Sequence, residues 1–189
     1  AGKTQGPKLR AAVRSLRLIQ LRPGLARQGR PGLLVRANRM KREILDAESE
    51  EAVSRLLDDP STPFDPFKLV GQIFEECVWE TGRNNTDIWG DYDNGTFSYC
   101  MTLVTRINGV LASRAMECVF GREQGPAITE KIDEFIRGDG KLLRISLEGI
   151  LFEYSAREII ANALGRYLLM KARSGDFQAQ PLIVFVDEA

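Results

Sequence analysis

The run of five apolar residues at positions 182–186, Leu-Ile-Val-Phe-Val, is the feature that most constrains the fold of this chain. A short run without a polar residue, bounded by Pro181 and Asp187, is typical of a parallel strand that helices cover on both faces. Residues 141–147 favour a second strand, and residues 155–173 favour a long helix between the two. Together these segments predict a right-handed β-α-β crossover and therefore an α/β fold.

Helical periodicity dominates the chain before residue 141. The strongest signal begins at Asp65 and Pro66, where an N-cap residue precedes a proline at the first helical position. We expect this helix to end near Gly82 and a second long helix to follow Thr96. Less regular patterns predict helices at 7–19, 41–57 and 128–137 and a short strand at 33–36. The predicted parts are a basic segment with an acidic helix, a helical insertion and the β-α-β unit, at 1–63, 64–140 and 141–189.

The formal net charge of zero is a cancellation between two parts of the sequence. The chain holds 26 Lys+Arg and 26 Asp+Glu, but residues 1–42 hold 12 of the bases and no acid. This asymmetry predicts a basic arm or an anion-facing surface. Arg10, Arg14 and Arg17 are candidate contacts with DNA, and the lack of aromatic residues before Phe64 favours the duplex backbone over stacked single strands. A solvated arm, or pairing with the acidic part of another subunit, explains the composition equally well.

Composition also excludes several kinds of site. The chain has no histidine, and its three cysteines include no C-x-x-C pair. Neither a zinc site nor a histidine-dependent hydrolase relay is expected, and the cysteines should pack as small apolar groups. The longest apolar run is too short to cross a bilayer, and the N-terminus lacks the apolar core of a secretion signal. We therefore expect a cytoplasmic protein without a membrane partner.

The acid pair Asp187-Glu188 follows the apolar run directly. This order is typical of the Walker B strand of nucleotide hydrolases, where the first acid holds the Mg²⁺ shell and the second polarises water. The alternative is a buried strand that ends in a solvated acidic turn. Arg157 and Arg166 lie on the predicted crossover helix. Each could contact a phosphate in a neighbouring subunit's site, or belong to a solvated face.

Gly2-Lys3-Thr4 has the letters that end a phosphate-binding loop. We interpret it otherwise, because Pro7 lies four residues after Lys3, no apolar face follows directly and no strand precedes it. The sequence therefore predicts no phosphate-cradling loop in this chain.

Three stretches, at 143–150, 152–169 and 186–189, carry a family pattern: Leu-Arg-Ile-Ser-Leu-Glu-Gly-Ile, then the helix that contains Ser-Ala-Arg-Glu-Ile-Ile-Ala-Asn-Ala-Leu-Gly-Arg, then Val-Asp-Glu-Ala. The helical segment at 98–120 extends the pattern upstream, and residues 65–67 do so more weakly. Over residues 64–189 the chain resembles the central ATPase domain of HerA-type proteins, in the HerA and FtsK branch of the P-loop ATPases.

The resemblance implies a RecA-like P-loop NTPase fold with a helical insertion ahead of the acidic strand. It implies ATP and Mg²⁺ as cofactors, Asp187 as the carboxylate of the Mg²⁺ shell and Glu188 as the residue that activates water. Members of this family are typically hexameric ATP-driven translocases on duplex DNA. Many act with a nuclease partner or as the motor of an anti-phage system.

The chain also departs from the family pattern. The complete phosphate-binding loop and the sensor and arginine-finger residues are not found in it, so we expect an internal fragment of a longer protein that hydrolyses ATP negligibly by itself. The alternative is a non-catalytic helical α/β module. It would bind DNA or a protein partner through the basic N-terminal segment, with Asp187 and Glu188 as an ordinary strand end.

Overall fold

A computed structural model describes residues 5–120, 127–150, 155–178 and 181–187. The chain divides into two compact units, Ala1–Leu111 and Ala112–Ala189, which we call the N-terminal unit and the C-terminal unit. The division falls inside the predicted segment 64–140.

Helices make up most of the described N-terminal unit. The unit also has two 3₁₀ turns, at Pro23–Leu25 and Pro66–Lys68. The α-helices that begin in this unit are Gln5–Leu21 (α1), Lys41–Ser49 (α2), Glu51–Asp58 (α3), Leu69–Glu75 (α4) and Asn94–Ala112 (α5). Helix α1 packs against both α3 and α4.

Local sequence explains where several of these helices begin and end. The predicted helix at 41–57 is two helices, because Glu50 takes an extended ψ of 122° between α2 and α3. Asp65 caps as predicted, since its Oδ1 accepts a hydrogen bond of 3.0 Å from the backbone N–H of Phe67. Helix α4 nevertheless ends at Glu75 and does not continue to Gly82.

Irregular antiparallel pairing replaces the predicted end of that helix. Isolated bridges join Val78 to Tyr92 and Met40 to Ile88. The backbone N–H of Trp79 donates to the carbonyl of Asp91 at 3.0 Å, and the N–H of Gly90 returns a bond of 2.8 Å to Trp79. These hydrogen bonds satisfy the backbone N–H and carbonyl groups of the loop. The loop residues therefore do not need helical hydrogen bonds.

Two apolar clusters form the core of the N-terminal unit. The first joins α1, α2 and α3, and the second joins α1, α4 and α5. Their buried members are Leu18, Ile19, Leu34, Ile44, Val53 and Leu57 in the first and Ala12, Ile73, Cys77, Cys100 and Val104 in the second. Because α1 contributes to both clusters, the basic N-terminal segment is a structural part of this unit.

The C-terminal unit contains three further described α-helices. They are Glu117–Phe120 (α6), Ile128–Arg137 (α7) and Ala156–Ser174 (α8), and a 3₁₀ turn at Arg114–Met116 precedes them. The prediction of a helix at 128–137 is confirmed, as is the long helix near 155–173. Ser155 precedes α8 in a left-handed conformation with φ 54° and makes no capping bond.

The predicted α/β fold is wrong. The described residues contain no β-strand, so neither a RecA-like core nor a parallel β-α-β unit is present in them. Residues 142–147 and 181–187 have no regular structure, and residues 33–36 form no strand. An apolar segment can enter a sheet, but it forms a strand only where a neighbouring backbone pairs with it through hydrogen bonds. The described part of the chain supplies no such neighbour.

The missing sheet leaves the apolar run exposed. Ile183, Phe185 and Val186 have 76%, 90% and 80% of their surface exposed, and Leu142 in the other predicted strand has 87%. In the part of the chain that the structure describes, no helix combines the length and apolar content needed to cross a bilayer.

Candidate functional site

The predicted acid pair lies at the end of the exposed apolar run. Asp187 is exposed and follows residues without regular structure, while Glu188 lies outside the described residues. Among the described residues, no group of three or more cysteine, aspartate or glutamate side chains could hold a metal ion. A single exposed carboxylate does not form a Mg²⁺ or ATP site. The described residues therefore do not fit these cofactors by themselves.

The two predicted arginines of α8 have different surroundings. Arg157 folds back on the preceding turn, where its Nε donates to the carbonyl of Ile150 at 2.7 Å and its Nη2 to that of Glu148 at 3.2 Å. Arg166 lies on the exposed side of the helix, along a shallow depression of about 440 Å³. Arg157 thus fixes a local turn, and Arg166 faces solvent.

The three arginines proposed for DNA contact are also placed differently from one another. Arg17 is buried, and its guanidinium donates to the carbonyls of Leu57 at 2.7 Å and Thr62 at 3.1 Å. Arg14 forms an ion pair with Asp58. Arg10 is exposed. The placement of Arg14 and Arg17 gives no support to a DNA contact, whereas contact through Arg10 stays a prediction.

The charge asymmetry of the sequence is balanced inside the N-terminal unit. Residues 1–111 hold 16 Lys+Arg and 14 Asp+Glu, and residues 112–189 hold 10 and 12. Basic residues before position 43 pair with acids that follow them, as in Arg22–Glu50, Arg30–Glu75, Arg36–Glu48, Arg39–Glu43 and Arg42–Asp46. The segment that the composition presents as a basic arm is the basic half of one folded unit.

A buried carboxylate lies at the centre of this pairing. Glu75 has no exposed surface, and its two oxygens accept from Arg30 and, at 2.9 Å, from the hydroxyl of Tyr92. Burial raises the pKa of Glu75, although the hydrogen bond from Tyr92 and the charge of Arg30 both oppose the rise. Burial of the Tyr92 hydroxyl, together with its hydrogen bond to Glu75, raises the pKa of Tyr92. This carboxyl group is therefore harder to ionise than an exposed one.

A second buried polar contact joins α4 to the chain before α2. The Gln72 side chain accepts from the N–H of Leu34 at 2.8 Å and donates to its carbonyl at 3.0 Å, so one amide replaces a missing strand partner. It also donates to Glu76 at 2.8 Å. Arg36 lies 2.8 Å from Glu76, without hydrogen-bond geometry at its Nε, and packs over the Trp89 ring at 4.8 Å.

These contacts could not be recognised in the sequence. Glu75 and Gln72 lie within the helix predicted to begin at Asp65 and Pro66, but nothing in their spacing separates a buried polar residue from a solvated one. Their partners Arg30 and Leu34 lie about 40 residues away in the sequence. The one available signal was the excess of arginine before residue 43, which the acids that follow it complement.

The cysteines behave as predicted where they are described. Cys77 and Cys100 are buried in the second apolar cluster and are free thiols. Burial raises the pKa of the Cys77 thiol to about 12, and Cys100 beside it adds to the rise. A thiol that stays protonated at neutral pH is a poor nucleophile, so the pair has a packing role.

Gly2-Lys3-Thr4 lies outside the described part of the chain. The prediction that these residues do not end a phosphate-binding loop therefore stays a prediction.

Comparison of the chain with protein-family models, with curated proteins and with solved structures finds no match in any of the three.

Proposed function

We propose that this chain is part of an ATP-driven motor that moves along duplex DNA. The observation that carries the proposal is the pair Asp187-Glu188 directly after five apolar residues. In nucleotide hydrolases, acids in this order hold Mg²⁺ and orient the attacking water.

The complete G-x-x-x-x-G-K-[ST] motif does not occur within the 189 residues. ATP binding therefore requires loop residues that are not among them.

The finer features of the proposal follow from the resemblance to HerA-type proteins. They are a hexameric ring, translocation on duplex DNA in the cytoplasm, and a nuclease or anti-phage effector as partner. The absence of a sheet from the described residues weighs against the resemblance, since the motors of that family are built on one.

The alternative, a non-catalytic module that binds through its basic segment, has less support. Arg17, Arg30 and Arg36 of that segment already bind carbonyl or carboxylate oxygens within the N-terminal unit. A surface whose charges are internally paired neutralises few phosphates, because each contact would cost an existing ion pair.

ATP turnover tests the proposal. A protein that contains these 189 residues together with a complete phosphate-binding loop should show Mg²⁺-dependent hydrolysis that duplex DNA stimulates. Glu188→Gln should abolish turnover and preserve nucleotide binding, because only water activation is lost. Asp187→Asn should weaken Mg²⁺-dependent binding as well.

Asp139→Asn, which removes another exposed acid of the same unit, serves as the matched control and should leave turnover unchanged. The present chain alone should show negligible hydrolysis. Turnover in the longer protein that survives Glu188→Gln would contradict the proposed role of the acid pair. A duplex-binding motor that shows no nucleotide dependence would contradict the proposal as a whole.

A further inference from the structure

We propose that the exposed face of α8 binds the same face of a second copy of this chain, as an antiparallel helix pair around a two-fold axis at Asn162. The proposal is independent of the motor function, because it rests only on the surface of one described helix.

Helix α8 has one covered side and one open side. Ala156 and Ile160 are its buried residues, and Lys171 and Tyr167 on the same side contact Asp133 of α7. The depression of about 440 Å³ runs along the opposite side. Its lining residues recur at helical spacing and are Glu158, Ala161, Asn162, Gly165, Arg166 and Leu169. A helix face whose residues recur at this spacing can pack against a second helix.

The charges on this face are complementary to themselves. Glu158, Asn162 and Arg166 follow one another at intervals of four residues, so the acid and the base lie about 6 Å along the axis on either side of Asn162. A two-fold axis through Asn162 places each Glu158 opposite an Arg166 of the other copy. The contact therefore forms two identical ion pairs, as a two-fold interface requires.

The centre of the face is also self-complementary. An asparagine amide carries both donors and an acceptor, so two Asn162 side chains that meet at the axis can bond to each other. A Cβ added at Gly165 would meet no heavy atom within 4 Å, so the surface there is open to close approach by a second helix. Leu169, half exposed, supplies apolar contact at the edge of the face. A parallel pair would instead place like charges together, so the pattern specifies the antiparallel one.

The expected association is weak. A single helix pair buries less than the roughly 1,200 Å² of standard protein interfaces, so a dissociation constant of about 10–100 μM is expected. We expect a monomer–dimer equilibrium that shifts over this range of concentration.

Sedimentation equilibrium of the full chain, from about 5 to 500 μM, tests the pairing across that range. Glu158→Arg and Arg166→Glu should each weaken self-association at least about tenfold, because each places two like-charge pairs at the contact. An equimolar mixture of the two variants should dimerise again. One copy then carries two bases on this face, and its partner copy carries two acids. The double variant should also associate as the wild type does.

Lys141→Glu, which reverses an exposed charge of the same unit outside the helix α8, is the matched control and should leave association unchanged. Circular dichroism of every variant should show the helix content of the wild type. A wild-type chain that stays monomeric over the whole range would overturn the proposal. So would single variants that associate normally, or a mixture that associates no better than its components.

Discussion

The two units of this chain differ in how they treat apolar and charged residues. Of the eighteen buried apolar residues described, fourteen belong to the N-terminal unit. That unit also buries carboxylates and guanidinium groups and gives them partners. The C-terminal unit buries few of its described side chains and exposes Ile183, Phe185 and Leu142 by 76%, 90% and 87%. In the N-terminal unit, polar contacts therefore help to define the fold, whereas in the C-terminal unit they lie on its surface.

The same comparison explains why composition was misleading. The excess of bases before residue 43 predicts either a basic surface for a partner or a solvated arm. It is instead one half of an internal pairing, because acids of α2, α3 and α4 in the same unit form ion pairs with these bases. The exposed apolar run of the C-terminal unit has no such internal complement among the described residues. A charge excess is evidence for an external partner only when its own folding unit fails to balance it.

The largest expected effect is at Arg17, and it tests whether buried polar contacts stabilise the N-terminal unit. Its guanidinium satisfies carbonyls at and beyond the C-terminal end of α3, so Arg17→Met leaves them without a donor. We expect a loss of about 3 kcal/mol in the free energy of unfolding, measured by urea titration. Arg14→Met on the same helix removes a partly exposed pair with Asp58 and should cost about 1 kcal/mol or less. Equal losses would show that burial of the guanidinium is unimportant.

A smaller effect is expected at Glu75, through the pH dependence of stability. Its pKa is raised in the folded unit, so the folded state binds the proton more tightly than the unfolded one. Stability should therefore fall as the pH rises above the ordinary pKa of 4.5 and through the folded-state pKa. Glu75→Gln should remove this decline, measured as unfolding midpoints between about pH 4 and 8.

The partly exposed carboxyl of Asp133 in the C-terminal unit should change stability with pH in the opposite direction. Hydrogen bonds from Tyr167 and Lys171 lower its pKa, so its contribution is present above the ordinary value of 3.8 and is lost as the pH falls through the folded-state pKa. Asp133→Asn should therefore flatten the acid limb of the stability profile. If Glu75→Gln and Asp133→Asn changed the pH dependence of stability in the same direction, the result would contradict the comparison between the units.

Sequence reasoning succeeded where the signal was local and failed where it needed a distant partner. The helix at 128–137 and the cap at Asp65 depend on residues within one turn, and both were predicted. The strand predicted at 182–186 depends on a neighbouring backbone, and the apolar residues alone do not show whether such a backbone is present. The pairing of Gln72 with Leu34 joins residues 38 apart in the sequence. A single sequence carries no mark of such a contact.

The smallest expected effect compares two tyrosines that make the same bond in different surroundings. The hydroxyl of Tyr92 donates at 2.9 Å to the fully buried Glu75, and that of Tyr167 donates at 2.6 Å to Asp133, whose side chain is 28% exposed. Tyr92→Phe leaves a carboxylate oxygen without a donor in the interior, so we expect a loss of about 1–2 kcal/mol. Tyr167→Phe lets water replace the hydroxyl at Asp133, so its unfolding midpoint should not move measurably. Because the substitution is identical, a comparable loss at both positions would show that burial does not distinguish the polar contacts of the two units.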